Sequence, residues 1–170
     1  MRGLPAPSAK TIWRIQRFVR NGLYNGRGMI PECRPDGYLR EGLHRASEAE
    51  VTFRFGAGSR RRRRLVLRLR RWIELARKCH ARRLLVDGSF VTTKAEPGDI
   101  GAVILLAENF QDQIDQGVEE SIELEQMLLS RHPEEIFAAE DDADWDAWVE
   151  FFSRTREADG RRKGLVEVLL

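Results

Sequence analysis

The chain has 170 residues, 42% of them hydrophobic, and a formal net charge of +2. This length predicts one domain with one sizeable core, and the sequence has neither an apolar run long enough to span a membrane nor the apolar region of a secretory signal. The two cysteines, Cys33 and Cys79, lack the spacing of a metal site, so we expect a cytoplasmic protein with reduced thiols.

The first third of the chain predicts little regular structure. A short amphipathic helix is expected between positions 11 and 23, where apolar residues oppose arginines. Residues 31–58 predict mostly loop, because prolines and glycines recur through them. Ser47 begins one short helix there, since Glu50 follows three positions later as a capping box requires. His44, just before it, could contact a nucleotide, but a bond to a loop carbonyl is the commoner role for such a histidine.

A long helix is predicted from Arg60 to about His80, with Ser59 as its N-cap. Its apolar residues recur at three- and four-residue steps and mark the face that we expect to lie on a sheet: Leu65, Leu69, Trp72, Ile73, Ala76 and Cys79. Arginines cover the rest of the helix. They could follow the phosphates of RNA, or they could pair with acidic residues elsewhere. No aromatic residue interrupts the arginine run, so a base-stacking platform is not predicted.

The charge is divided unevenly along the chain. Residues 1–107 carry 23 basic and 9 acidic side chains, a net of +14, whereas residues 108–170 carry 6 basic and 18 acidic ones, a net of −12. Such asymmetry is compatible with a face that binds a polyanion. We favour two halves that attract each other within one fold, or between copies in a homo-oligomer, because the acidic residues alternate with apolar ones.

The remaining elements give an α+β fold. One helix is predicted from Phe110 to Arg131, with Gly117 weakening its middle by about 1 kcal/mol relative to alanine. Another runs from Trp145 to about Arg156, and the aspartates before it suit the positive end of a helix dipole. Strands are predicted at four places and form a mixed sheet of about four strands packed against helices: residues 83–87, 99–106, 134–140 and 164–170.

The turn between the first two strands carries the strongest site pattern. Gly88 and Ser89 allow the backbone to turn closely, and we expect this turn to leave N–H groups free. A loop with Lys94 follows, and Asp99 opens the next strand. The two strand ends would thus bring a backbone turn, a lysine and a carboxylate to one point. That combination suits a phosphate chain carried with a divalent cation.

This stretch resembles the signature of the DNA-polymerase-β-like nucleotidyltransferase superfamily, in which a Gly-Ser pair after a strand is followed by Asp-x-Asp at the start of the next. Gly88-Ser89 matches the pair, and Asp99 matches the first aspartate. Residues i and i+2 of a strand project to the same side, so the second aspartate would lie beside the first. Gly101 stands at that position and supplies no oxygen ligand.

The wider resemblance is to a small bacterial branch of the superfamily. It is carried by Met29-Ile30-Pro31, Gly42-Leu43-His44, the arginine-rich helix and Lys163-Gly164 before the last strand. Because the resemblance begins at Met29, residues 1–28 are either an extension ahead of the natural start or a genuine basic arm that contacts a partner. Residues 29–170 would then form a single nucleotidyltransferase-like domain.

The resemblance implies transfer of a nucleotidyl group from a nucleoside triphosphate to a hydroxyl, with three nucleotide-binding residues: Gly88, Ser89 and Lys94. A third carboxylate lies on a further strand in the superfamily, and Glu135 matches it. Asp99 and Glu135 are therefore the implied catalytic and magnesium-binding residues. Because position 101 lacks an acid, we expect magnesium to bind weakly or not at all and transfer to be impaired.

Two other classes of function stay open. Some relatives in the superfamily are the nucleotidyltransferase halves of toxin–antitoxin pairs, so the fold could serve as a non-enzymatic, antitoxin-like module that binds a protein partner. Alternatively, the arginine-rich helix could bind tRNA or another structured RNA, with an affinity that falls steeply with salt. No membrane contact is expected.

Overall fold

A computed structural model describes residues 30–130 and 135–170. The chain has the predicted α+β fold, in which a mixed sheet carries helices on both faces. Five strands and five α-helices lie within those two ranges: β1 (Gly42–Ala46), α1 (Glu48–Phe55), α2 (Arg60–Lys78), β2 (Arg83–Asp87), β3 (Gly101–Leu105), α3 (Phe110–Asp115), α4 (Glu119–Ser130), β4 (Ile136–Ala139), α5 (Asp142–Phe152) and β5 (Gly164–Val168). The helix predicted between positions 11 and 23 lies outside the described residues.

The strands are arranged in the order β1-β5-β2-β3-β4. The central strand β2 runs antiparallel to both of its neighbours, β5 and β3. The outer pairs, β1 with β5 and β3 with β4, are parallel. As a result, β2 ends at the same end of the sheet at which β3, β4 and β5 begin. Side chains near those four points therefore lie at one end of the sheet.

Both faces of the sheet are buried, which explains why β2 and β3 are nearly continuous apolar runs. Helices α1 to α4 cover one face, where the predicted stripe of α2 packs on strand residues such as Leu84, Val86 and Ile104. Helix α5 covers the other face with Trp145 and Val149. The prediction that the leucine–tryptophan stripe lies on the sheet is therefore confirmed.

The predicted helix caps are also present. Ser47 forms a complete capping box with Glu50, and Ser59 accepts a hydrogen bond from the Arg62 amide at the start of α2. Asp141 caps α5 by accepting from the Asp144 amide at 2.8 Å. No helix among the described residues is long and apolar enough to cross a membrane.

Two predicted elements are wrong. Residues 42–46, interpreted as loop, form the edge strand β1, which pairs in parallel with β5. The helix predicted from Phe110 to Arg131 is interrupted, because Gly117 has a φ of +77° that a helix does not allow. The amide of Gly117 bonds to the carbonyl of Ile114 instead, and α4 begins only at Glu119.

Smaller differences concern element ends. Helix α5 begins at Asp142 and ends at Phe152, earlier at both ends than predicted. Strands β3, β4 and β5 are each shorter than the predicted runs, so that Asp99 and Glu135 lie just before a strand rather than on it. His44 takes the structural role, since one ring nitrogen lies 2.8 Å from the carbonyl oxygen of Arg40.

Candidate functional site

The turn after β2 is closed by a glycine that no other residue can replace without strain. Gly88 has a φ of +91°, a region that side-chain-bearing residues rarely occupy. A Cβ atom here would lie 3.0 Å from the Cα of Ile100 and 3.1 Å from the backbone nitrogen of Gly101. The glycine therefore lets the turn approach the start of β3, and the Phe90 amide then bonds to the Asp99 carbonyl at 3.0 Å.

Ser89 and Asp99 meet in this turn, as the sequence predicts. The Ser89 hydroxyl donates to Oδ1 of Asp99, and the Ser89 amide donates to the same oxygen at 3.0 Å. In return, the amides of Gly98 and Asp99 donate to the Ser89 hydroxyl oxygen at 2.9 and 3.1 Å. We call Gly88, Ser89 and Asp99 the Ser89 turn.

The expectation that this turn leaves its N–H groups free is wrong. The amides of Ser89, Phe90, Gly98 and Asp99 all donate to partners within the turn. The Ser89 side chain is short enough for its hydroxyl to bond to Gly98 and Asp99, the residues that lead into β3. The loop therefore satisfies its own backbone N–H groups instead of leaving them open to solvent. A ligand here would have to bind through side chains or displace one of these bonds.

The charge of Asp99 is stabilised by its neighbours. Partial burial pushes the pKa of Asp99 upward, but the two bonds from Ser89, followed by the charges of Arg156 and Lys163, bring the pKa below its usual value. Asp99 is therefore ionised at neutral pH and has positive charges close by.

A second acid, Asp87, lies at the end of β2 and is held by Lys163. The Lys163 ammonium lies 2.5 and 2.7 Å from the two carboxylate oxygens of Asp87, and the two side chains are only 10% and 7% exposed. Burial raises the pKa of Asp87, and Lys163 opposes that rise. This ion pair was not predicted, although Lys163 was noted as a match at the start of the last strand.

Position 101 lies in a row of three residues, two on adjacent strands and one directly before the next strand. Gly101 pairs directly with Asp87 across the antiparallel β2–β3 ladder. On its other side, Ala102 pairs with Ile136, so that Glu135, whose carbonyl accepts the Ala102 amide at 3.1 Å, is the neighbour of Gly101. We call Asp87, Gly101 and Glu135 the Gly101 row.

Nothing in the backbone requires a glycine in this row. Gly101 does not have a positive φ. A Cβ atom placed on it would meet only the carbonyl oxygen of Glu135, at 3.7 Å. That distance is ordinary van der Waals contact. A Cβ atom at position 101 would thus fit, and it would lie on the same face of the sheet as the side chain of Asp87.

The described acids at this end of the sheet are engaged mainly with partners of the same chain. Asp87 already has Lys163 on both oxygens, Gly101 has no ligand to offer, and one oxygen of Asp99 accepts two bonds from Ser89. No group of three or more histidine, cysteine or acidic residues that could hold a metal ion occurs in residues 30–130 and 135–170. Ligation of magnesium by Asp99 and Glu135 stays a prediction that this donor set does not favour.

Two arginines of the long helix hold the loop between Ser89 and Asp99. Arg62 is buried and donates to four backbone carbonyls at 2.5 to 3.0 Å: those of Phe55, Phe90, Thr92 and Lys94. Arg61 donates to the carbonyls of Pro97 and Gly98. The sequence gives no sign of this role, since both residues lie in an unbroken arginine run.

Lys94, the predicted nucleotide-binding lysine, is exposed on that loop. Its backbone carbonyl is held by Arg62. In the described part of the chain, no hydrogen bond or ion pair joins its side chain to Ser89 or Asp99. The structure therefore brings Ser89 and Asp99 together and leaves Lys94 apart from them.

Other basic residues pair with the acidic C-terminal half, as we favoured. Arg71 bonds to Glu123 at 2.9 Å, and Lys78 bonds to Glu120 at 3.0 Å. After the helix, Arg82 pairs with Asp142, and Arg83 pairs with Glu167. The uneven charge along the sequence thus contributes to contacts inside one fold.

Comparisons with known proteins give one match. No curated protein and no solved structure matches the chain. The sequence pattern of one protein family matches residues 31–169, which covers every described strand and helix. The chain therefore belongs to this family of unknown function, DUF6932.

Proposed function

We propose that this protein is of the nucleotidyltransferase type, binds a nucleoside triphosphate at the end of the sheet beside Ser89 and Asp99, and is impaired in nucleotidyl transfer because position 101 is glycine. The observation that carries the proposal is the meeting of Ser89 with Asp99 near position 101, where the backbone accepts a Cβ atom and the glycine supplies no carboxylate. The arrangement of β2, turn and β3 agrees with the resemblance noted in the sequence.

The charges around the turn favour a phosphate group. Lys163 and Arg156 both lower the pKa of Asp99, so positive charge is close to this end of the sheet. The acids there are partly neutralised, Asp87 by Lys163 and Asp99 by its hydrogen bonds. A triphosphate would therefore meet less repulsion than an unpaired set of carboxylates would cause.

Transfer requires more than binding. In the superfamily that the sequence resembles, two carboxylates at the start of the second strand act together. Here Asp99 is the first, and Gly101 supplies no second. Binding without efficient transfer is the behaviour expected of such a site.

Binding is tested by measuring the melting temperature of the full chain with each common nucleoside triphosphate and magnesium. We expect at least one triphosphate to raise the melting temperature in proportion to the logarithm of its concentration. The rise should be smaller in Ser89→Ala, which removes the hydroxyl that organises the turn, and unchanged in the control Asp115→Asn, an exposed acid on α3. Absence of any rise would refute nucleotide binding, and tight co-purification with a second protein would then favour the antitoxin-like alternative.

RNA binding by the long helix is separated from nucleotide binding by its salt dependence. Arg64 is exposed on α2, away from the buried stripe. An RNA-binding protein would lose affinity steeply with salt and on Arg64→Ala, whereas a triphosphate site at the sheet end would be unaffected by that substitution.

A further inference from the structure

The buried pair of Asp87 and Lys163 lies where a metal-dependent site would need its ligands. Asp87 is the last residue of β2 and is paired directly with Gly101. Residues paired in this way project to the same face of a sheet, so the Asp87 carboxylate and any side chain at position 101 would be neighbours. Lys163 directly precedes β5, the strand on the other side of β2, and brings its ammonium to that same face.

Lys163 neutralises the charge of the Asp87 carboxylate. Its ammonium contacts both carboxylate oxygens, at 2.5 and 2.7 Å. Both side chains are almost fully buried, and in such surroundings an unpaired charge is very costly. The backbone also fixes Lys163, because its amide donates to the Ser153 carbonyl at 2.8 Å. The ammonium is therefore a permanent part of this end of the sheet.

The local charge differs from that of a metal-binding set. A divalent cation is held by several ionised carboxylates whose charge it neutralises. Here the Asp87 carboxylate is neutralised by the Lys163 ammonium, and Gly101 has no side chain. The charges of the exposed Arg156 and of Lys163 also lower the pKa of Asp99. The charge of Asp87 is thus neutralised without an added ion.

From this mismatch, and on the basis of the proposed function, we infer that the Lys163 ammonium takes the place of a divalent cation, so that a nucleoside triphosphate binds beside Ser89 and Asp99 without magnesium. Lys163 acts as an internal countercharge: it neutralises Asp87, so that the phosphates do not meet the negative charge of that carboxylate. Folding fixes the position of the ammonium, which therefore, unlike a metal ion, does not have to bind from solution.

The first test compares ATP binding to the full chain by calorimetry in magnesium and in EDTA. We expect the two dissociation constants to agree within about threefold, a difference of less than 1 kcal/mol. Binding in magnesium that disappears in EDTA would overturn the inference and leave the proposed function standing. Absence of binding in both buffers would refute the proposed function, and the inference would fail with it.

The second test removes the countercharge. Lys163→Met alone leaves Asp87 buried and unpaired, whereas the double variant, Asp87→Asn with Lys163→Met, removes both charges together. In EDTA we expect Lys163→Met, which leaves the Asp87 charge uncompensated, to bind ATP at least about tenfold more weakly than wild type, and the double variant, which is again neutral, to bind it within about threefold of wild type; circular dichroism checks that each variant is folded. The matched control is Lys78→Met, a lysine that also contacts two acids but lies at the end of α2. A double variant that is folded and binds ATP tenfold more weakly than wild type, or a folded Lys163→Met that binds it as wild type does, would overturn the role of Lys163.

Discussion

The Ser89 turn and the Gly101 row lie side by side at one end of the sheet, and they are built differently. In the turn, each of the backbone amides of Ser89, Phe90, Gly98 and Asp99 has a partner, and Gly88 occupies a conformation and a space that only glycine fits. In the row, Gly101 has no positive φ, and a Cβ atom there would meet only the carbonyl oxygen of Glu135, at 3.7 Å.

This difference separates two roles of glycine. Gly88 is required by the fold, because the strands cannot close around a larger residue there. Gly101 is not required by the fold. Under the proposed function its effect is chemical, because a glycine supplies no oxygen ligand. The neighbouring acid, Asp87, is held by a lysine of the same chain.

The largest effect is expected from breaking the ion pair beside the row. Lys163→Met leaves the Asp87 carboxylate buried without a partner, which should lower the free energy of unfolding by about 3–5 kcal/mol. Urea denaturation measures the change. Replacing Asp87 by Asn in the same chain should recover most of the loss, because no unpaired charge then remains. If Lys163→Met alone is as stable as wild type, the ion pair is not buried in solution.

A direct comparison of the two glycines should give the next largest effect. Gly88→Ala forces a positive φ on alanine and brings its Cβ against backbone atoms, so we expect a loss of about 2–3 kcal/mol. Gly101→Ala meets only one carbonyl, at 3.7 Å, and should change stability by less than about 1 kcal/mol. Equal losses in the two variants would remove the distinction between turn and row.

The loop that carries the turn depends on Arg62. Arg62→Met removes a guanidinium that donates to four carbonyls and should cost about 2 kcal/mol. Arg63→Met, at the exposed neighbouring position, is the control and should cost less than about 0.5 kcal/mol. Thermal denaturation of both variants checks the difference, and similar melting temperatures would contradict the assigned role of Arg62.

What the sequence predicts well is what local patterns determine. The stripe of α2, the apolar runs of β2 and β3 and the capping serines are each specified within a few residues. The meeting of Ser89 with Asp99 also follows, because the two residues lie at the facing ends of adjacent apolar runs that pair as the antiparallel strands β2 and β3. These predictions need no knowledge of distant parts of the chain.

What the sequence does not predict depends on distant partners. Strand β1 is a short, partly polar segment that becomes a strand through pairing with β5, near the other end of the chain. Asp87 and Lys163 are 76 residues apart, and the carbonyls held by Arg62 come from two separate segments. The sequence predicts only a weak point at Gly117 and not a break in the helix, since the apolar pattern continues through it.

The chemical role of position 101 is tested most directly by measuring pyrophosphate release from nucleoside triphosphates in magnesium, with wild type, Gly101→Ala and Gly101→Asp side by side. We predict that Gly101→Asp, which restores the second carboxylate, releases pyrophosphate at least about tenfold faster than wild type, and that Gly101→Ala matches wild type. A wild-type rate equal to that of Gly101→Asp would contradict the claim that the glycine disables transfer.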